Sequence, residues 1–304
     1  MKKIAILIPC YNEEKTIEKV IKDFHRELPQ ADVYVYDNNS KDHTATIAMK
    51  SGAIVRKEIR QGKGFVVQRM FREIDADIYI LVDGDDTYPA EKATKMVFEV
   101  ENGNDMVVGD RLSNGTYANE NKRSFHGFGN NLVRSLVNIL FKSNLKDIMS
   151  GYRVFSRDFV KNYPVLVGGF QLETDMTIFA LDRNFAIREI PIAYRDRPNG
   201  SISKLNTYSD GIKVIATIFN LFRYYRPFLY FSLFSIIFLL LGIIVGTPVI
   251  LEYIELKYIY KVPSATLASG LILLSALSFL CGIILDAVKR SNKEALEMNM
   301  KKNN

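Results

Sequence analysis

The chain has 304 residues, enough for one large domain or two smaller ones, and its 40 Lys and Arg against 34 Asp and Glu give a formal net charge of +6. Its two cysteines, Cys10 at a strand end and Cys281 in an uncharged stretch, point away from a disulfide or cysteine-metal framework, and its basic residues are not gathered into the aromatic-interleaved clusters of a nucleic-acid binder. A mean hydropathy near zero averages two unlike parts, because residues 227–251 and 262–285 hold no charged side chain while the residues before them are mixed.

Ile4–Pro9, Val33–Asp37, Ile54–Lys57 and Ile78–Val82 read as buried strands, and Thr16–His25, Thr44–Met49 and Lys63–Ile74 between them carry helical spacing. Strand and helix alternate, which predicts a mostly parallel α/β sheet with helices on both faces. The first strand runs into PCYNEE, Pro9–Glu14. A tyrosine, an amide and acids at a strand's carboxyl end suit a base and ribose, or else make a loop with helix-capping acids. The second strand ends in DNNSKDHT, where Asp37 is placed to accept from a nucleotide hydroxyl or amide and Asp42 or Ser40 to cap the next helix. In RQGKGFVVQRM, Gly62 and Gly64 bracket Lys63 at a helix start, a place that suits a diphosphate; the spacing is not that of a Walker A loop. Arg69 and Arg72 on that helix read as surface charge as readily as part of a site.

The stretch ILVDGDDTYP, Ile80–Pro89, ends an apolar strand in three carboxylates, at the edge where open α/β sheets build their sites. In extended chain Asp83 and Asp85 project to the same side. Two like charges held that close call for a counter-ion, and Mg²⁺ or Mn²⁺ binds one or two carboxylates while water and phosphate oxygens fill its other positions. The plainer alternative is a polar turn with an Asp capping the helix from Glu91; the EF-hand pattern is not met.

PCYNEE, DNNSKDHT, QGKG and DGDDTYP, in that order and at those separations, resemble the motifs of the family 2 glycosyltransferases. The match is nearest to their polyprenyl-phosphate, dolichol-phosphate-mannose-synthase-like branch, which includes bacterial members with a carboxyl-terminal membrane hairpin. The resemblance covers Ile4 to about Leu205 by motif and the remainder by architecture, and it implies the A-type nucleotide-diphospho-sugar transferase fold. It also implies that Pro9, Tyr11, Asn12, Glu13, Asp37 and Ser40 line the nucleotide, that Lys63 sits beside it, and that Asp83 and Asp85 hold the metal and ribose-diphosphate. One departure is that Asn38 and Asn39 stand where many members have Asp and Gly, which bears on base preference.

Glu91–Asn102 reads as a helix and Asp105–Gly109 as a strand leading to Arg111, which is similar in place to the family arginine that approaches the donor phosphates. Gly115–Gly129 reads as a polar, mobile loop over the site. Leu132, Leu136, Ile139 and Leu140 form one helical face, predicted to be core rather than membrane-leaning. DIMSGYRVFSR follows, and then GGFQLETDM, where the family carries the acid at an inverting transferase's general-base position. The match puts Glu173 there with Asp175 as its neighbour. The helical repeat sets these two about 200° apart, so only one faces the reacting carbon, and Glu173 is chosen over a simple helix-start role. A sugar hydroxyl needs a base to remove its proton, whereas a phosphate monoester with a second pKa of about 6 is already ionised at neutral pH. Ile187–Pro191 reads as a strand. YRDRPNGSISKL is similar to the family's R-x-x-G-x-S-K segment with one extra residue, so Arg195, Arg197, Ser203 and Lys204 are expected to bind a donor or acceptor phosphate, the alternative being a loop on anionic lipid.

Tyr208–Arg226 reads as an interfacial helix, and the two uncharged stretches are each long enough for the roughly 30 Å hydrocarbon core. Arg223, Arg226, Lys289, Arg290 and Lys293 flank the hairpin, which places both termini in the cytoplasm, and the start Met1–Ile8 has no cleavable signal pattern. The expected organisation is a catalytic domain at 1–205, a juxtamembrane helix at 206–226, a transmembrane hairpin at 227–287 and a charged, frayed tail at 288–304. The resemblance implies inverting transfer of a sugar from a nucleotide-diphosphate sugar to undecaprenyl or dolichyl phosphate on the cytoplasmic face, with Mg²⁺ or Mn²⁺ and membrane lipids as partners. Homo-oligomerisation stays open. The alternatives are a transferase acting on a lipid-linked sugar or polymer hydroxyl, and a non-catalytic anchor that binds nucleotide sugar.

Overall fold

The near-continuous apolar runs become strands buried on both faces, as a parallel sheet covered by helices requires. In the computed structural model, which describes residues 2–113, 124–165, 172–195, 219–220 and 222–303, the chain forms two units, Met1–Gly211 and Ile212–Asn304. The first unit holds β1 (Ile4–Cys10), α1 (Ile17–Glu27), β2 (Asp32–Asp37), α2 (Thr44–Lys50), β3 (Ile54–Lys57), α3 (Lys63–Glu73) and β4 (Ile78–Leu81). A single 3₁₀ turn (Ala90–Lys92) leads into α4 (Ala93–Glu101), followed by β5 (Met106–Asp110), α5 (Ser124–Phe141), β6 (Arg153–Ser156), α6 (Arg157–Asn162), α7 (Leu172–Asp182) and β7 (Ile187–Pro191).

The seven strands lie in the order β3-β2-β1-β4-β6-β5-β7. All pairings are parallel except those of β6, which runs antiparallel to both β4 and β5. The sequence reading assigns no strand to β6, because four residues beginning with an arginine carry too short a pattern. Its direction matters: Arg153 pairs with Leu81 and Val108, so β6 begins at the edge where β1, β2 and β4 end. The segment before it, Asp147–Tyr152, is thereby delivered to the carboxyl edge of the sheet.

Strand side chains alternate between two cores. Ile6, Ile8, Ile80 and Val154 meet Ile17, Ile21 and Phe24 of α1 and Met96 and Val100 of α4 on one side. On the other, Phe155 stacks on Phe159 at 4.8 Å, and Phe159 packs against Tyr163, Phe179 and Phe185. Ser156 caps α6 by accepting from the Phe159 N–H at 3.2 Å, which fixes where the ring enters this core. On α5 the predicted core face is corrected. Val133 and Val137, one turn apart, are buried, whereas of the predicted face Leu136 and Leu140 are half-buried and Leu132 and Ile139 exposed, Ile139 by 74%. Apolar residues surround this helix broadly enough that periodicity alone chose the wrong stripe.

The second unit contains α8 (Pro227–Leu256) and α9 (Val262–Asn303), both long and apolar enough to cross a membrane. Small residues line their contact. A Cβ on Gly242 would meet Ile272 at 3.0 Å, and one on Gly246 would meet Ala268 at 3.3 Å. The Ser235 and Ser275 hydroxyls meet at 3.0 Å, so the polar groups of the pair satisfy each other as hydrocarbon surroundings demand. The tail expected to fray after Arg290 instead continues α9, with an Arg290–Glu294 ion pair at 3.1 Å. The expected loop Gly115–Gly129 is corrected in its second part, because residues 124–129 form the first turns of α5; residues 115–123 of it, Arg197, Ser203, Lys204 and most of the expected interfacial helix lie outside the described residues, as does the 205/206 boundary.

Because Phe159 is wholly buried among four rings, Phe159→Ala should cost about 3–5 kcal/mol. Pulse proteolysis of the detergent-solubilised full chain across a urea series measures this. A loss below about 1 kcal/mol would show that the aromatic face repacks freely.

Candidate active site

Three strand ends and one strand start converge at the carboxyl edge of the sheet. Cys10 lies beside Asp37, and Leu7 beside Leu81, so Tyr11–Glu14, Asn38–Thr44 and Val82–Asp86 emerge side by side at the switch between β1 and β4. The first two loops are zipped together. The Asn12 N–H donates to Ser40 Oγ at 2.9 Å, the Lys41 N–H to Asn12 Oδ1 at 2.8 Å, and the Glu13 N–H to Thr44 Oγ1 at 2.8 Å. Ser40 N–H in turn donates to the Asp37 carboxylate at 3.3 Å. Of the two capping candidates it is Asp42 that binds the α2 start, accepting from the Thr44 N–H at 3.0 Å.

β4 stops at Leu81, and Asp83–Asp86 form a turn with Asp86 in the left-handed region at φ 58°, so strand alternation is not what orients the acids. Asp83 Oδ1 accepts from Lys63 Nζ at 2.6 Å, and the same ammonium donates to Glu173 Oε1 at 2.6 Å. Asp85 is buried, with Oδ1 accepting from the Thr87 hydroxyl at 2.7 Å. Burial pushes the Asp83 carboxyl up; Lys63 opposes this, and the charges of Asp85 and Glu173 reinforce it, leaving a raised pKa. Burial acts the same way on Glu173, but there the Lys63 ammonium wins and holds its pKa below the usual carboxylate range. For Lys63 itself burial disfavours charge, and Asp83 and Glu173 outweigh it, so the lysine stays protonated. Asp175 turns elsewhere and accepts from the Tyr163 hydroxyl at 2.6 Å, as the helical repeat predicts for residues two apart.

On the other flank, Arg111 grips Asp147 through Nε at 2.7 Å and Nη2 at 3.0 Å, and lies over the Tyr194 ring at 5.6 Å. Burial raises the Asp147 pKa less than Arg111 lowers it, so this pair remains ionised. Arg195 is paired with Glu91 at 2.9 Å and approaches Asp86, so an anion reaching Arg195 must compete with two acids. The Gly62 N–H is taken by Asn38 Oδ1 at 2.7 Å, which removes one of the donors expected for a diphosphate.

Four residues here lie in stretches the sequence reading quotes but gives no role. Arg153 is fully buried and donates to the Ser150 and Ile148 carbonyls at 2.8 Å and to Thr177 Oγ1 at 2.9 Å, tying the segment before β6 to α7 and hence to Glu173. Tyr88 accepts from the Gly151 N–H at 2.9 Å, and Asp147 is the partner of Arg111. Gly151 is the fourth: a Cβ there would lie 2.5 Å from Asp83 Oδ2 and 3.3 Å from Lys63 Nζ. The signal was an arginine inside an apolar strand and a glycine just before it.

The family 2 glycosyl transferase model matches residues 5–163, more than half of the chain, and spans every element of this edge except α7 and β7. The chain belongs to the family 2 glycosyltransferases. Among similar proteins, glycosyltransferase AglJ of Haloferax volcanii is 28% identical over 298 residues, covering 97% of this chain and 96% of that one. A dolichyl-phosphate hexose transferase of the same organism is 29% identical over 211 residues, covering 69% of this glycosyltransferase and 90% of the relative. A solved glucosyl-3-phosphoglycerate synthase from Mycobacterium tuberculosis, in complex with Mn²⁺, UDP and phosphoglyceric acid, superposes with a TM-score of 0.57 at 23% identity over 73% of this chain and 78% of that one. The fold is thus the A-type one, and the enzyme class is glycosyl transfer.

Gly151→Ala should displace the Asp83 carboxylate and cut transfer at least tenfold while leaving the fold intact. Initial rates alongside thermal melts test this; a variant of unchanged rate would show that the Asp83 position is not critical.

Proposed function

We propose that this glycosyltransferase moves a sugar, with inversion, from a nucleotide-diphosphate sugar to a polyprenyl phosphate at the cytoplasmic face of a membrane. The observation that carries the choice of acceptor is the Lys63–Glu173 ion pair. A carboxylate with a lowered pKa, already bound to an ammonium, is a weak base for a sugar hydroxyl. A lipid phosphate needs no base. Glu173 then orients Lys63, and the phosphate oxygen attacks the anomeric carbon as the nucleoside diphosphate departs. The relative named for dolichyl-phosphate hexose transfer supports the same acceptor class.

A divalent cation suits the acids. Asp83 shares the Lys63 ammonium with Glu173, and burial, reinforced by the charges of Asp85 and Glu173, raises the Asp83 pKa. Among the described residues no group of three His, Cys, Asp or Glu side chains is set to hold a metal alone, so Asp83 and Asp85 would share the ion with water and donor phosphate oxygens. Bound there, Mg²⁺ or Mn²⁺ supplies charge neutralisation to the departing diphosphate. Mn²⁺ accompanies UDP in the solved M. tuberculosis neighbour. The chain's own residues do the rest: Tyr11, Asn12, Glu13, Asp37 and Ser40 frame the nucleotide, Lys63 and Arg111 flank the phosphates, and Arg195, Arg197, Ser203 and Lys204 serve the donor or acceptor phosphate. Residues 1–205 form the catalytic domain, 206–226 a juxtamembrane segment and 227–287 a hairpin with both ends cytoplasmic, as Arg223, Arg226, Lys289, Arg290 and Lys293 favour.

Purified enzyme incubated with radiolabelled sugar nucleotides and undecaprenyl or dolichyl phosphate should give a lipid-linked product that a chelator abolishes and Mg²⁺ or Mn²⁺ restores. No such product with any common donor would refute the reading. Asp85→Asn should lose more than a hundredfold in rate and Glu173→Gln clearly less. A hydroxyl acceptor demands the reverse order. With a lipid phosphate the rate should fall as pH drops below about 6, because protonation removes the attacking charge, and Glu173→Gln should keep that limb. An acid limb that vanishes in Glu173→Gln would assign the titration to the glutamate instead.

A further inference from the structure

Two adjacent side-chain amides hold the loop that carries Lys63. Asn38 is buried, and its Nδ2 donates to the Glu58 carbonyl at 3.0 Å and the Arg60 carbonyl at 2.8 Å. Its Oδ1 accepts from the Gly62 N–H at 2.7 Å and from Gln61 Nε2 at 3.2 Å. Asn39 Nδ2 donates to the Ile59 carbonyl at 2.8 Å. Three consecutive carbonyls are thus met by two consecutive asparagines. Asn39 does this from the left-handed region at φ 61°, which asparagine tolerates better than other residues bearing a Cβ. The pattern of needs at Asn38 is selective: two acceptors require N–H donors, and two donors require an oxygen, a set that a carboxamide meets and a carboxylate does not.

The loop so held ends at Gly62, whose φ of 135° is open only to glycine, and Lys63 follows as the first residue of α3. From there its ammonium reaches Asp83 and Glu173. The β2 end is anchored on its other side, with Asn38 N–H donating to the Cys10 carbonyl at 2.9 Å and Glu58 N–H to the Asp37 carbonyl at 2.9 Å. We infer that Asn38, with Asn39, is a positioning residue that clamps residues 58–62 and thereby sets Lys63 for donor binding. The departure from the Asp-Gly pattern then acts on the donor through this loop rather than through direct contact with the base. This inference rests on the donor site proposed above.

The test uses the full chain in detergent, with Asn38→Ala and Asn38→Asp compared with wild type on the sugar nucleotide that supports transfer. Ala removes four hydrogen bonds, and Asp sets a carboxylate against two carbonyls. Each variant should raise the KM for the donor about tenfold or more, Asp beyond Ala, with kcat and the KM for the lipid little changed. Hydrogen exchange at the Gly62 amide should quicken in both. Should the Asp variant fail to fold, the Ala variant decides. Quickened exchange with an unchanged donor KM would reduce the clamp to a structural role, and unchanged exchange would show that the amide does not hold the loop; either overturns the inference. Absence of transfer by the wild type would instead count against the proposed function.

Discussion

One ammonium between two carboxylates organises the catalytic unit. Lys63 starts α3, Asp83 follows β4 and Glu173 lies on α7, so a single side chain joins three elements far apart in sequence. Coulomb attraction at 2.6 Å in a partly buried place is strong enough to reverse what burial does to Lys63 and Glu173. It does not reverse the effect on Asp83, where burial is reinforced by the negative charges of Asp85 and Glu173. The cluster therefore keeps surplus negative charge directed at the place where an α/β sheet offers its site.

The sheet explains how these residues meet. Parallel strands bring their carboxyl ends to one edge, and the reversed β6 brings its start there too. Arg153 then satisfies the carbonyls of the segment entering β6 and reaches Thr177 on α7, the helix of Glu173. A buried arginine bonded this fully is a structural cation, and its removal would take a donor from each of three buried acceptors. Gly151 in the same segment leaves the space that the Asp83 carboxylate occupies.

Much of this was legible in the residues. Ile54–Lys57 and Ile187–Pro191 coincide with their strands in extent, but Ile54–Lys57 was expected to be buried and is instead a largely exposed edge strand, as its Arg56 and Lys57 allow. The separation of Glu173 from Asp175 followed from helical geometry alone, and the two acids do take different partners. What stayed hidden was tertiary. Arg111 and Asp147 are 36 residues apart, and nothing local marks them as partners. β6 is too short to announce itself, and on α5 apolar residues on several sides let Val133 and Val137 face inward where Leu132 and Ile139 were expected. The acids of DGDD sit on a turn beyond the strand rather than along it.

The central claim is that Asp83 and Asp85 bind a divalent cation together with the donor diphosphate. Electron paramagnetic resonance of Mn²⁺ tests it without turnover. Free Mn²⁺ signal should fall below the level set by the nucleoside diphosphate alone when protein is added, and Asp83→Asn should leave it at that level. An Asp83→Asn protein that still withdrew Mn²⁺ as the wild type does would contradict the account.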